Sequence, residues 1–331
     1  MQQGDDATLL GAVRAGDRGA FDALVSPHRR RLLAHCYRML GASSEADDAV
    51  QETMLRAWRH VGSFEGRSSF RSWLYAIATR VCLDHVVDRA PRRYPSLDES
   101  APADPSVPPH DPVRDPVWLE TLADSAWSDG DMDSFENPES HLTRRQSVAI
   151  AFLAAIQLLP GTQRAALLLV EVAGWSASEV ADALELSVAA VNSALQRARA
   201  TLDERAPSWK RSARKRQPSD SDVLSRYARA WSAGDAALLA STLRDDATLA
   251  MPPSPAWYDG RAAVEQFLRS FVFAMGVPFE MDSVTSVNGA PSMILYALTP
   301  DGERRDHSLH VIELADDGSI ANVRVFILAA D

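Results

Sequence analysis

The spacing of apolar residues changes twice along this chain, and each change fixes a different kind of element. Through residues 6–90 apolar side chains recur at intervals of three and four: Leu9, Leu10 and Val13, then Phe21, Leu24 and Val25, then Leu32, Leu33, Cys36, Tyr37 and Leu40. The pattern continues through Val50, Met54, Ala57 and Val61, and again through Phe70, Trp73, Leu74, Ile77, Val81 and Leu83. That period is one face of an α-helix turned towards a core. Gly16 and Gly41 read as C-terminal caps, and GSFEGRSS reads as a loop. Residues 91–140 are rich in proline and acid, with too few aliphatics for a packed core. Their one apolar cluster is Trp118, Leu119, Leu122 and Trp127. Helical spacing resumes over 141–205, interrupted at LPGTQ and AGWSASE. A basic linker occupies 206–219.

Beyond residue 220 the period switches. Helices over Val223–Trp231 and Ala236–Leu243 precede a strand in ATLAMPP, and Asp259 suits the N-cap of a further helix through Val264 and Phe267. Segments of alternating polarity then follow at Ser292–Leu298, Ser308–Leu314 and Ile320–Leu328, parted by Pro-Asp-Gly and Asp-Asp-Gly turns. An α+β domain with a curved antiparallel sheet covered by helices is expected over 220–331.

Charge sharpens this division. The total of −11 argues against a nucleic-acid partner, but it is unevenly placed. Residues 1–93 carry a net +3, residues 94–140 a net −11, residues 141–217 a net +5 and residues 218–331 a net −8. Two basic helical blocks are thus separated by an acidic tether and followed by an acidic domain, and local charge governs what each can touch. No apolar run reaches the roughly 18 residues of a membrane helix. The N-terminal residues lack the basic start of a signal peptide. Cys36 and Cys82 form no CxxC pair, which excludes a disulfide framework and a structural zinc site. The expectation is a cytoplasmic protein without metal, cofactor or membrane contact.

Residues 176–202 carry the clearest motif. Ser176-Ala-Ser-Glu179 is a capping box, and Ser187 is an N-cap for a second helix after a short turn at Glu185-Leu186. That helix buries Val191, Ala194, Leu195, Ala198 and Leu202. Ala189, Asn192, Ser193, Gln196, Arg197 and Arg199 are left pointing outward. Asn, Gln and Arg make bidentate contacts to base edges, and Arg also neutralises phosphate, so the second helix suits a major groove. A plain helical hairpin with a solvated face has the same periodicity.

Beyond these local readings, VQETMLRAWRHVGSFEGRSSFRSWLYAIATRVCLDHV resembles region 2 of the extracytoplasmic-function sigma factors of bacterial RNA polymerase. LPGTQRAALLLVEVAGWSASEVADALELSVAAVNSALQRARATL resembles their region 4. The final hundred residues, with MPPSPAWYDGRAAVEQFL followed by strands, resemble the SnoaL-like branch of the NTF2-like fold. The resemblance implies two all-α domains, region 2 over 6–90 and region 4 over 141–205, joined by a linker over 91–140. A C-terminal NTF2-like cone follows. It implies core RNA polymerase and promoter DNA as partners, with an anti-sigma factor or a small-molecule ligand of the C-terminal domain as further candidates. Carried over by position, Asp48, Gln51 and Glu52 face the polymerase. Phe64, Arg67 and Arg71 meet the −10 element, and Ser187 with the outward residues of the second helix meets the −35 element. The family turn usually carries glycine where Glu185 stands, and a basic residue is common at the positions of Asn192 and Ala194. The linker takes the place of the segment that threads towards the polymerase active site.

NTF2-like folds can enclose a pocket, and Trp257, Tyr258, Phe267 and Tyr296 are the candidate lining, alongside Met251, Phe271 and Phe326; the same residues could make a solid core. Asp246, His307 and His310 are the acid–base candidates. An odd separation places the two histidines on opposite faces of a regular strand, so no catalytic residue is assigned. A regulatory role for this domain is expected. The competing readings are a SnoaL-like isomerase or cyclase fused to a helical DNA-binding module, and a helix-turn-helix regulator that works without polymerase.

Overall fold

The computed structural model describes residues 2–87, 101–109, 119–126, 149–206 and 220–328. They fall into two compact units. Trp118, Trp127 and the basic stretch from Lys210 to Pro218 lie outside the described residues.

The helical unit takes α1 (Gln2–Arg14), α2 (Arg18–Val25), α3 (Arg29–Leu40), α4 (Ser43–His60) and α5 (Phe70–Val87). It continues with α6 (Ile150–Gln157), α7 (Gly161–Leu167), α8 (Ala177–Leu184) and α9 (Val188–Arg205). Gly41 closes α3 with φ +75°, its N–H returning to Tyr37 O, as a left-handed cap requires. The helical stripes meet in one core, where Leu32, Cys36, Tyr37, Ala57, Leu74, Val81 and Cys82 are buried. Each large apolar side chain so buried contributes about 1.5–3 kcal/mol.

Two polar features inside this unit were not visible in the apolar pattern. Helix α4 has no side-chain cap from its own N-cap residue, Ala42. Instead the Glu120 carboxylate accepts from Ser43 N–H and Ser43 Oγ, both at 2.9 Å, and from Ser44 N–H at 3.4 Å. Glu120 N–H donates to Gly41 O at 2.9 Å, and Tyr37 Oη donates to Glu120 O at 2.6 Å. A linker residue thus supplies the negative charge that a helix N-terminus favours. Second, the buried Arg164 guanidinium donates to Met39 O, to Gln157 Oε1 at 2.6 Å, to Gln157 O at 3.0 Å and to Leu159 O at 3.1 Å. Gln157 Nε2 donates to Arg38 O at 3.2 Å. The last carbonyls of α3 are therefore satisfied by side chains from α6 and α7.

The C-terminal unit contains α10 (Asp220–Ala233), α11 (Ala236–Ala240), α12 (Arg261–Phe267) and six strands. These are β1 (Leu243–Ala250), β2 (Trp257–Asp259), β3 (Phe279–Val287), β4 (Ala290–Leu298), β5 (Arg304–Leu314) and β6 (Ile320–Ile327), in the order β2-β1-β6-β5-β4-β3. The sheet is mixed, because β1 and β6 run parallel while the other neighbours are antiparallel. Leu243 belongs to β1 and not to the preceding helix. Helix α12 is capped at Gly260, with φ +86°, because Asp259 is still paired to Thr248 in the sheet. The β3–β4 hairpin turns through Asn288 and Gly289, both with positive φ, the requirement of a two-residue type I′ loop. The core between helices and sheet is filled by Tyr227, Trp231, Leu249, Tyr258, Phe267, Phe279, Leu295 and Ile312.

Candidate nucleic-acid interface

Helix α4 turns Val50, Met54 and Ala57 inward and leaves Asp48 and Gln51 exposed. Leu55 stands beside them, 58% exposed. Glu52 is half-buried, held by Arg56 at 2.6 Å and by His85 at 3.5 Å. The bond from Arg56 keeps its carboxyl below the usual range. Arg56 also reaches Asp84 at 3.0 Å, so the Glu52 side chain is braced against α5.

The loop after α4 departs from the sequence reading. Phe64 is buried, edge-on to Phe70 at 5.7 Å and tilted against Trp73 at 5.2 Å. Arg14 donates to its carbonyl at 2.6 Å. Packing of three aromatics won over display of one, so Phe64 anchors the loop and is not available to stack on a base. Trp73, expected in the core, is the partly exposed member of the trio. Arg67 projects into solvent beside Glu65, and Arg71 lies over the Tyr75 ring at 5.7 Å.

In the helix-turn-helix the capping box closes in both directions: Glu179 N–H donates to Ser176 Oγ at 3.3 Å and Ser176 N–H to Glu179 Oε2 at 2.8 Å. Ser187 Oγ accepts from Ala190 N–H at 3.1 Å, so that hydroxyl is engaged in starting α9. The turn residue Glu185 adopts φ +56°, a conformation that suits glycine. Its carboxylate meets Arg80 at 2.8 Å, and Arg80 also donates to Ala183 O at 3.0 Å. Along α9, Val191, Ala194, Leu195, Ala198 and Leu202 are buried, while Ala189, Asn192, Ser193, Gln196 and Arg197 are exposed on one face. Arg199 is the exception. Its Nε donates to Glu171 Oε1 at 2.9 Å, and Glu171 is buried in a π-helical turn over Leu168–Val172. This side chain fastens α9 to the π turn that continues α7 and is not a free cation. The sequence carried no signal for it, since Glu171 lies 28 residues away in an apolar run.

In the C-terminal unit the candidate pocket divides. Tyr258 stacks on Phe267 at 4.1 Å inside the core, and its hydroxyl has no hydrogen-bond partner among the described residues. Burial pushes that hydroxyl up to about 12. Tyr296 lies on the other face of β4 from the buried Met293 and Leu295, beneath Arg304 at 5.0 Å, so it cannot line a cavity with Tyr258. Trp257 is buried, and its carbonyl accepts from Ala103 N–H of the linker at 2.8 Å. The two histidines are closer than a regular strand allows. Leu295 pairs with Ser308 and Tyr296 with Asp306, which leaves His307 as the extra residue of a bulge. Ser308 Oγ then meets His307 Nδ1 at 3.1 Å and His310 Nε2 at 2.9 Å, while His310 Nδ1 meets Tyr227 Oη at 2.8 Å. Burial, and then His307, push His310 down to about 3, so it is neutral. No carboxylate bonds either histidine among the described residues. Asp246 is exposed in β1, where it pairs with Arg244.

Residues 24–92 match Sigma-70 region 2, and residues 149–202 match Sigma-70, region 4. The ECF RNA polymerase sigma factor SigG of Mycobacterium tuberculosis H37Rv is 39% identical over 312 residues, covering 94% of this chain and 82% of that protein. The RNA polymerase sigma-H factor of Pseudomonas aeruginosa is 32% identical over 206 residues, 62% of this chain and 95% of that protein. The crystal structure of the extracytoplasmic function sigma factor SigJ of Mycobacterium tuberculosis superposes with a TM-score of 0.55 at 19% identity, covering 94% of this chain and 96% of that one. With both sigma regions in order and an α+β unit behind them, the chain belongs to the ECF sigma factors, initiation factors that direct RNA polymerase to promoters, and its fold follows that of SigJ.

Proposed function

We propose that α4 presents Asp48, Gln51 and Glu52 to core RNA polymerase in the cytoplasm, that Arg67 and Arg71 meet the −10 element, and that α9 enters the major groove of the −35 element. The observation that carries this reading is the exposed stripe of Ala189, Asn192, Ser193, Gln196 and Arg197 on the second helix of a doubly capped helix-turn-helix. Base-reading side chains on that helix, ordered by N-caps and unencumbered by neighbours among the described residues, are what direct readout needs.

The C-terminal domain modulates this activity through the linker. Ala103 is hydrogen-bonded to Trp257 at the sheet edge and packs on the domain's core. Glu120, from the same linker, caps the polymerase-facing helix α4. A segment that must follow its own path in the polymerase is thus gripped at one point by the domain that regulates it. A ligand of the domain or an anti-sigma factor would act on that grip. Run-off transcription with purified core polymerase, comparing the full chain with a 1–217 truncation, tests both statements. Specific transcripts from the full chain, at a level altered by truncation, are expected. Equal transcription would remove the regulatory role, and no transcripts from folded protein would remove the assignment of surfaces.

A further inference from the structure

Along α9 the outward face runs from Val188, which is 44% exposed, and Ala189 through Asn192, Ser193 and Gln196 to Arg197. It ends at the exposed acids Asp203 and Glu204, which phosphate repels. The base-reading length is therefore the first two to three turns, the part of a recognition helix that reaches base edges. Two arginines occur on this helix before its last turn, and neither is placed to read a base there. Arg199 is held by the buried Glu171. Arg197 sits about 125° around the helix from the mean direction of Val188, Ala189, Asn192 and Gln196, at 100° per residue, where it faces a groove wall. What remains are two amides one turn apart, Asn192 and Gln196, separated by about 6 Å of helix rise. An amide donates to and accepts from adenine in the N6/N7 pair, whereas guanine's O6/N7 pair offers acceptors alone and selects arginine or lysine. Small apolar groups at Val188 and Ala189 match the thymine methyl.

We infer that the duplex element read by α9 is specified by adenines bonded to Asn192 and Gln196, with thymine methyls against Val188 and Ala189, and that guanine is not read on this face. Arg197 contacts phosphate and sets affinity without sequence preference. This deepens the sigma-factor reading and rests on it.

The test is selection by initiation. A promoter library with the −35 region randomised is transcribed by core polymerase with the full-length protein, and the surviving sequences are read. Two positions should favour adenine, on either strand, by roughly 5- to 100-fold over the alternatives. Asn192→Ala should flatten one position and Gln196→Ala the other, each leaving its neighbour intact. Gln196→Arg should convert its position to guanine, and Arg197→Ala should lower initiation evenly across sequences. These side chains are exposed, so the variants keep the fold. Guanine at the positions that respond to Asn192 or Gln196 would overturn the inference while leaving the sigma function standing. So would an adenine preference unchanged in both alanine variants, since that is readout of duplex shape. Absence of specific initiation from every library member would overturn both.

Discussion

Arg164 is a buried cation whose partners are all neutral oxygens, and the cost of removing it can be worked from the structure. Its two terminal nitrogens serve Met39 O, Gln157 Oε1, Gln157 O and Leu159 O. Burial pulls its pKa down to about 10, so it remains charged at neutral pH. Arg164→Met keeps much of the volume and removes every donor. Each stranded acceptor costs about 1–3 kcal/mol, and four of them would sum to about 4–12 kcal/mol, as much as the whole stability of a domain. Two effects reduce the sum. The variant recovers the desolvation cost of the guanidinium, several kcal/mol, and a carbonyl that loses one bond can relax towards another. No charge is left behind, because every partner is neutral, so the expected loss is the net contribution of charge-assisted hydrogen bonds, about 1.5–3 kcal/mol. A urea titration read by hydrogen exchange of peptides from α3 and α7 isolates the helical unit. The midpoint should fall while the slope of free energy against urea stays the same. A loss below about 1 kcal/mol would mean that desolvating the guanidinium cancels its bonds, and the interlock would then be structural decoration.

Three further outcomes follow from the same geometry. Glu120→Ala removes the N-terminal cap of α4 and should destabilise it by about 0.5–2 kcal/mol, seen as faster exchange of the Ser43–Ala46 amides. Glu185→Gly relieves a left-handed residue, which stabilises by about 1 kcal/mol, and loses an exposed ion pair worth less than about 1 kcal/mol, so thermal unfolding should be unchanged or slightly raised; a clear loss would show that the Arg80 contact outweighs the strain. His35 and His310 are both held neutral at about 3 by burial, against an unfolded value near 6.5. Their folded pKa values are depressed, so stability is complete above about pH 6.5 and is lost as pH falls from there towards 3, by about 1.4 kcal/mol per histidine at pH 5.5. Urea titrations at pH 7.5 and 5.5 on the chain and on His310→Gln measure that slope for each unit, and the variant should flatten it for the C-terminal unit while leaving the helical unit's unchanged.

The parts of this fold that the sequence disclosed are those written in local chemistry. The capping box at Ser176, the N-cap at Ser187 and the apolar stripes of α4, α5 and α9 each depend on residues within a turn or two, and each stands where the spacing puts it. The Asn288-Gly289 pair carried an equally local signal for the β3–β4 hairpin, which the alternation rule alone did not use. What stayed hidden was set by partners far along the chain. Glu120 caps a helix 77 residues upstream, and Glu171 engages Arg199 from a π turn that no period announces. Phe64 lay in a loop that read as exposed, but Phe70 and Trp73 offered it a buried site. The histidines failed the strand rule because a one-residue bulge resets which face a side chain takes.

These long-range contacts bear on how a weak DNA reader can be specific. With Arg199 committed and Asp203 and Glu204 closing the face, α9 brings few phosphate contacts, and affinity rises with each one. Region 4 alone should therefore hold duplex poorly. Nor can the compact helical unit reach both elements at once. Some 180 residues pack to a radius of gyration of about 16 Å, so roughly 40 Å across. The −10 and −35 elements lie 25 base pairs apart, about 85 Å of helix axis at 3.4 Å per pair. Engaging both requires α6–α9 to leave α3 and α5, which breaks the Arg164 bonds to Met39 and the Arg80 bonds to Ala183 and Glu185. The free energy for that separation must come from a surface that binds the two parts apart. Once it holds them, each weak contact with DNA becomes intramolecular, and its effective concentration replaces the affinity that the free chain lacks. The interlock and the sparse charge of α9 thus act in the same direction. On the proposed reading, both hold the chain off DNA until core polymerase separates the two parts.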